Sequence, residues 1–354
     1  MNDSTAQSGT PITSIEIADF IIGFHIQTTI CVIGIILNTI AVFIFSQKQF
    51  SATSYVYIIA ISIVDLNTLL INIPLGIQRC PTRVANFCGR FSEFRKFLAW
   101  NNQIFHYLSN TTETINCWVT VFGACERYIT IKNIDSASKR CSRRSSCIQI
   151  IMVAIIASLF NIPAYFSVEI FDRNGTISIH LSKFGDSIGF TGYSWVRFTC
   201  VPVLFLVILI FVNTLLLQSV KNWMTRQKGV STSLPVPSTM LESTKVGMNV
   251  TLLRANNQSS RVKERRQRAH NKLTILLMAV IALFMLGQIP LSLGFNSLFS
   301  TLFPRADKSK TRLYVTVTTV FNLLTYSCTF ILYATLNSHF RKALVETFFR
   351  RKRK

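Results

Sequence analysis

Residues 117–128 read CWVTVFGACERY, an apolar run that ends on Glu126-Arg127-Tyr128. The basic stretch from Lys132 to Arg144 follows it. An arginine closing a membrane-spanning segment can snorkel into the interface as a simple anchor. Here an acid precedes the arginine and a tyrosine follows, so a paired, switchable charge fits these three residues equally well. The rest of the chain has to decide.

Of the 354 residues, 49% are hydrophobic and only 15% charged, with a mean hydropathy of +0.39. Soluble domains carry about a quarter charged residues. A bilayer core needs roughly 20 apolar residues per helix. Seven segments of that kind are expected, at about 18–46, 54–78, 97–131, 148–171, 195–220, 272–300 and 311–336. The fold class expected is therefore an all-α membrane protein, a seven-transmembrane-helix bundle. The outer half of segment three, Trp100 to Asn116, is rich in Asn, Thr and Ser. Such a helix sits in a membrane only with its polar side against protein or water, which places it centrally in the bundle.

The net charge of +22 is unevenly placed. Lys and Arg concentrate in 132–144, in 221–271 and after Phe340, all on one side of a seven-span chain, while residues 1–18 hold none. This pattern fits a membrane face rather than nucleic acid. The positive-inside rule then puts residues 1–17 outside and the tail 337–354 in the cytosol, despite the five basic residues between Arg79 and Lys96. A multi-pass plasma-membrane protein with an extracellular N-terminus is expected. No cleavable signal is visible in the polar start, Met1 to Thr13. The sequons at Asn2 and Asn174 fall outside, where glycans are permitted; Asn110, Asn249 and Asn257 fall in the membrane or cytosol and should be silent.

Seven spans with Glu-Arg-Tyr closing the third resemble the rhodopsin-like G-protein-coupled receptors. The other helices carry further matches: Gly34-Ile35-Ile36-Leu37-Asn38 in the first, Asp65 alone among apolar residues in the second, Pro202 in the fifth and Pro290 in the sixth. Tyr333 and the pair Phe340-Arg341 follow at the family's spacing for the last helix and a short amphipathic eighth helix. Each match is weak alone, and their order makes the case. Thr329-Phe330 stands where the family has Asn-Pro, and Gly287-Gln288-Ile289-Pro290 where it has Cys-Trp-x-Pro. The entry to helix two (51–59) and the Phe-x-Leu-Tyr ending resemble invertebrate FMRFamide- and myosuppressin-type peptide receptors and, equally, the nematode serpentine receptors class W.

The resemblance implies an extracellular ligand, a heterotrimeric G protein as partner, and a coupling switch built on Glu126, Arg127, Tyr128 and Tyr333. His270 stands where many relatives carry an acid that locks the arginine, so weaker resting restraint and ligand-free signalling are expected. The family's usual bridge to the second outer loop has neither cysteine here. Cys80 and Cys88 are the clearly extracellular pair; a disulfide between them, or two free thiols, are the readings.

Asn116 lies about three turns before Arg127 and, with Asp65 and Asn38, points to the family's sodium pocket. A Na⁺-sensitive site and an uncharged interhelical network both remain open. For the ligand, helix three offers His106, Asn110 and Glu113, with Gln288 on helix six. Glu113 lies about 21 Å above Arg127 on the same helix, at ~1.5 Å per residue. An intramembrane carboxylate is a functional candidate that could meet a peptide arginine, the alternative being an internal partner such as Gln288 or His106. A short FMRFamide-like neuropeptide is the favoured ligand, with a small chemosensory molecule as the alternative.

The loop 221–271 holds a Ser/Thr/Pro stretch at 231–239, and the tail ends in Arg350 to Lys354, suited to anionic lipid. Metal-ligand spacings, Gly-rich phosphate loops and paired acids are all missing from the sequence, so no catalytic role or cofactor other than Na⁺ is expected. A transporter is the competing class, without the internal repeats usual there.

Overall fold

Thr13 sets the start of the first helix. Its hydroxyl accepts the Glu16 amide while the Glu16 carboxylate accepts the Thr13 amide, a capping box that satisfies two orphan donors. This computed structural model describes residues 13–80, 84–132, 142–173, 176–232, 275–276, 278–294 and 307–348. Helix α1 spans Ser14–Phe45 and passes through a π-helical turn at Ile21–Ile26. Helix α2 covers Thr53–Ile77 with Pro74 in its final turns. A 3₁₀ turn at Asn86–Phe91 carries Cys88, which is joined to Cys80 with Cα atoms 5.5 Å apart.

Helix α3, Ser92–Trp100, stops at Asn101, and α4 then runs Asn102–Lys132. The expected segment 97–131 is thus interrupted at Asn101, whose side-chain nitrogen donates to the Phe97 carbonyl at 2.8 Å. Helix α5, Arg143–Phe160, begins under the Ser142 hydroxyl, which accepts the Ser145 amide. It ends well before 171, for two reasons. The Asn161 side chain bonds back to the Ala157 carbonyl at 2.8 Å, and Pro163 cannot donate to a continuing helix. The chain from 168 to 181 forms an antiparallel hairpin instead, β1 (Val168–Arg173) on β2 (Thr176–Leu181), with Val168 opposite Leu181.

Helix α6 starts at Ile188 rather than 195, under a Ser187 cap, passes a π-turn at Thr199–Val203 that contains Pro202, and continues to Thr232. Helix α7 is Met278–Leu293, α8 is Lys308–Leu336 and α9 is Ser338–Phe348. The Asn337 carboxamide oxygen accepts the His339 and Phe340 amides and so starts α9 at a corner after α8.

Among the described residues, five helices are long and apolar enough to cross a membrane: α1, α2, α5, α6 and α8. Helix α5 shows why this is a bilayer protein and not a soluble bundle. Ile148, Ile151, Met152, Ile155, Ile156 and Leu159 recur at helical spacing and are all half or more exposed. Water would penalise that stripe heavily; lipid would not. Helix α4 is the inverse. It buries Thr111, Thr114, Asn116, Thr120, Glu126 and Arg127 and packs against α2, α5 and α6. Its polarity, which excludes it from the apolar set, is turned toward protein. The central position expected for segment three is what the packing gives.

Candidate functional site

Ser54 at the start of α2 donates to Glu126 Oε2 near the end of α4 at 3.0 Å, so the two helices run antiparallel and define one end of the bundle. Arg127 at that end is only 1% exposed and the largest fully buried side chain described. Tyr128 carries the Lys132 ammonium 5.6 Å from its ring centroid. Tyr333 is fully buried, edge-on to Phe45 at 5.0 Å and 6.0 Å from Phe340, so α1, α8 and α9 share one aromatic cluster. His270, Asn2 and Asn174 lie outside the described residues.

The opposite end of the bundle holds a cavity of about 380 Å³. Helix α4 lines it with His106, Ser109, Asn110 and Glu113, α6 with Arg197 and Pro202, and α8 with Thr319, Asn322 and Tyr326. Glu113 Oε2 accepts from Arg197 Nη2 at 2.5 Å, a charge-assisted bond. Arg197 Nε also donates to Asn161 Oδ1 at 3.3 Å, and the Asn161 amide donates to Thr114 Oγ1 at 3.1 Å. One network therefore pins α4, α6 and the end of α5. Neither expected internal partner, Gln288 nor His106, holds Glu113 in this pair. The signal for Arg197 was in the sequence, as it is the sole Lys or Arg between Lys183 and Lys221.

His106 faces Asn110 at 3.4 Å on the cavity wall. Gln288 lies beneath the cavity: its amide donates to the Tyr326 hydroxyl at 3.0 Å, and Asn322 donates to the same oxygen at 3.1 Å. Gly287 makes this floor possible. A Cβ there would stand 2.5 Å from Asn322 Oδ1 and 2.7 Å from Thr325 Oγ1, so a larger residue would have to displace these side chains between α7 and α8.

Deeper still, Asn116 donates to Asp65 Oδ1 at 2.6 Å, with both residues fully enclosed. Asn38 does not join them directly in the described hydrogen bonds; its amide reaches the Gly34 carbonyl at 3.0 Å and the Tyr326 carbonyl at 3.3 Å. Asn116 turns a nitrogen donor to the carboxylate, and the Thr329 hydroxyl donates to the Thr325 carbonyl. Asp65, Asn116 and Thr329 are thus held by hydrogen bonds to protein groups.

One central helix thus joins a cavity at one end to a buried arginine at the other, in keeping with the resemblance to the rhodopsin-like G-protein-coupled receptors. Residues 25–187 match the family model described as "Serpentine type 7TM GPCR chemoreceptor Srw". The chain is also similar to the "Sex peptide receptor" of Drosophila melanogaster, 23% identical over 90% of this chain and 70% of that one. The "Sex peptide receptor-related protein 2" of Caenorhabditis elegans is 18% identical over 94% of this chain and 72% of its own length. These likenesses support a class A-like G-protein-coupled receptor with a relation to the nematode Srw serpentine receptors.

Proposed function

We propose that the chain crosses the plasma membrane seven times with its N-terminus outside, binds an extracellular ligand in the cavity and activates a heterotrimeric G protein through Arg127. In this reading α4 and α7 are the two further spans, α4 being 31 residues long with its polar side inward. Helix α9 then lies along the cytoplasmic lipid surface. The observation that carries the proposal is the continuity of α4, which presents Glu113 to the cavity and encloses Arg127 at its far end. A ligand that shifts α4 against α6 or α8 moves both ends at once.

The ligand is a short peptide in this reading, in keeping with two relatives whose names are those of peptide receptors across most of the chain. The amidated Arg-Phe type has weaker support, since its guanidinium would meet a carboxylate that Arg197 already holds. A small chemosensory ligand is the second reading, favoured by the family description of residues 25–187.

The test is nucleotide exchange on purified G protein added to membranes carrying the receptor. Ligand-free exchange above that of control membranes is expected, lost in Arg127→Ala and lowered in His270→Glu. Solute uptake by the same membranes, with no exchange on any G-protein class, would replace the receptor by a transporter.

A further inference from the structure

A second cavity of about 370 Å³ adjoins the first, sharing Asn72, Ser109 and Thr319 with it. Two guanidiniums, Arg79 after α2 and Arg312 on α8, line it. Both turn to one carboxylate on α1. Arg312 Nε stands 3.0 Å from Asp19 Oδ2 and Arg79 Nη1 3.9 Å from Asp19 Oδ1. Asp19 is largely occupied already, since the Thr316 hydroxyl donates to Oδ1 at 2.5 Å and Arg79 also donates to that hydroxyl. Glu113 and Arg197 cancel one another across the adjoining space. The joined cavities therefore hold one positive charge in excess, on two cations that repel each other.

The enclosure is built for Arg79. The π-turn of α1 brings Gly23 against it, where a Cβ would stand 2.5 Å from Arg79 Cδ. Burial, and after it the neighbouring Arg312 charge, push the Arg79 pKa below the usual guanidinium range against the pull of Asp19. Two carboxamides complete the lining. Gln27 is 1% exposed; its nitrogen donates to the Asn72 carbonyl at 2.9 Å, while its Oε1 has no partner among the described residues. Gln78 Nε2 is enclosed and likewise unpartnered among them. Buried polar atoms without partners are costly, and a ligand that satisfies them gains that cost back as affinity.

We propose that this second cavity is an anion subsite that takes the carboxylate of the receptor's ligand. One carboxylate oxygen accepts from Arg79 and Arg312, the other from Gln78 Nε2. Gln27 Oε1 accepts an N–H or O–H next to the carboxylate. The ligand class is an acid with an adjacent donor: an N-acyl amino acid or hydroxy acid, or the same group as a peptide's free C-terminus. The inference rests on the receptor reading for its direction of access, but its test does not use the G protein.

The full-length receptor in lipid nanodiscs is heated with matched pairs, each a small acid and its own primary carboxamide, beginning with N-acetylphenylalanine. Short peptides ending in a free carboxylate or an amide form a second arm that separates the two sources. Acids in at least one arm raise Tm saturably and their amides do not. Arg312→Gln, at an exposed residue that should fold normally, weakens the acid's Kd about tenfold or more, and Arg312→Lys retains part of it. Amides that act as well as acids, an acid Kd unchanged in Arg312→Gln, or no acid-dependent shift in either arm would each overturn the subsite. Nucleotide exchange by the same preparation shows separately whether the receptor reading stands.

Discussion

Glu113 and Arg197 have side chains 23% and 21% exposed, enclosed enough that neither charge is cheap to leave alone. Removing one partner strands the other. Glu113→Gln and Arg197→Gln should each lower stability by about 2 kcal/mol, with the double variant costing less than their sum. Thermal unfolding of the three proteins in one detergent measures the coupling directly. Arg197→Gln has a second consequence, since it frees a carboxylate in the cavity and should admit cationic ligands that the parent refuses. Asp65 is the other residue to test. With Asn116 as its donor, replacing Na⁺ by K⁺ should leave Tm and basal exchange unchanged; a sodium-specific shift lost in Asp65→Asn would identify a cation site instead. The chemistry of these positions was only half legible in the sequence. Asp65 stands out as a lone carboxylate in an apolar run, while Glu113 and Asn116 are found by their spacing from Arg127 on a polar helix. Which groups meet is decided by side chains from other helices. Arg197 near the end of a segment reads equally as an interfacial anchor, and Asp19 and Gln27 near the start of one read as ordinary helix entry.

At the scale of elements, small residues set how closely helices approach. A Cβ at Gly34 would press on the Ser327 hydroxyl and stand 2.8 Å from Leu69 Cδ1, so α1 approaches both α2 and α8 closely here. Gly34→Val should lower stability by about 1–3 kcal/mol through overpacking, read as a lower Tm and less receptor at the cell surface. Gly34→Ala combined with Ser327→Ala should recover part of the loss of Gly34→Ala alone, because the nearest obstacle is then removed. Recovery absent from that pair would place the strain on Leu69 instead. Helix periods and boundaries follow the same logic of local against distant causes. The limits of α2 and α8 lie within a few residues of the expected 54–78 and 311–336, as both are bounded by polar residues at the interface. The break at Asn101 and the early stop at Phe160 fall at asparagines whose side chains bond a carbonyl four residues earlier, but Asn38 and Asn72 make the same bond inside α1 and α2. Asparagine also occurs inside α2 and α4, so the residue type alone does not mark an end. The hairpin 168–181 replaces helix where Pro163 has already broken the ladder.

For the molecule as a whole, orientation decides whether any of these residues can do what is proposed. Arg127 can meet a G protein only from the cytosol, and the cavity can meet an extracellular ligand only from outside. The two ends of α4 must therefore lie on opposite faces, with the N-terminus on the cavity side, because α1 begins where Asp19 reaches Arg79 and Arg312. Charge agrees: the excess of Lys and Arg in 132–144, 221–271 and the tail belongs to the Arg127 side. The sequons supply an independent readout, since glycan transfer occurs only in the lumen that becomes the outside. Glycosidase treatment of the receptor from eukaryotic cells should shift its mobility. Asn2→Gln and Asn174→Gln should together abolish the shift, while Asn249→Gln and Asn257→Gln leave it intact. Glycans on Asn249 or Asn257 would turn the molecule over. Arg127 would then face outward and the cavity inward, and neither the coupling switch nor the anion subsite could serve a receptor for an extracellular ligand.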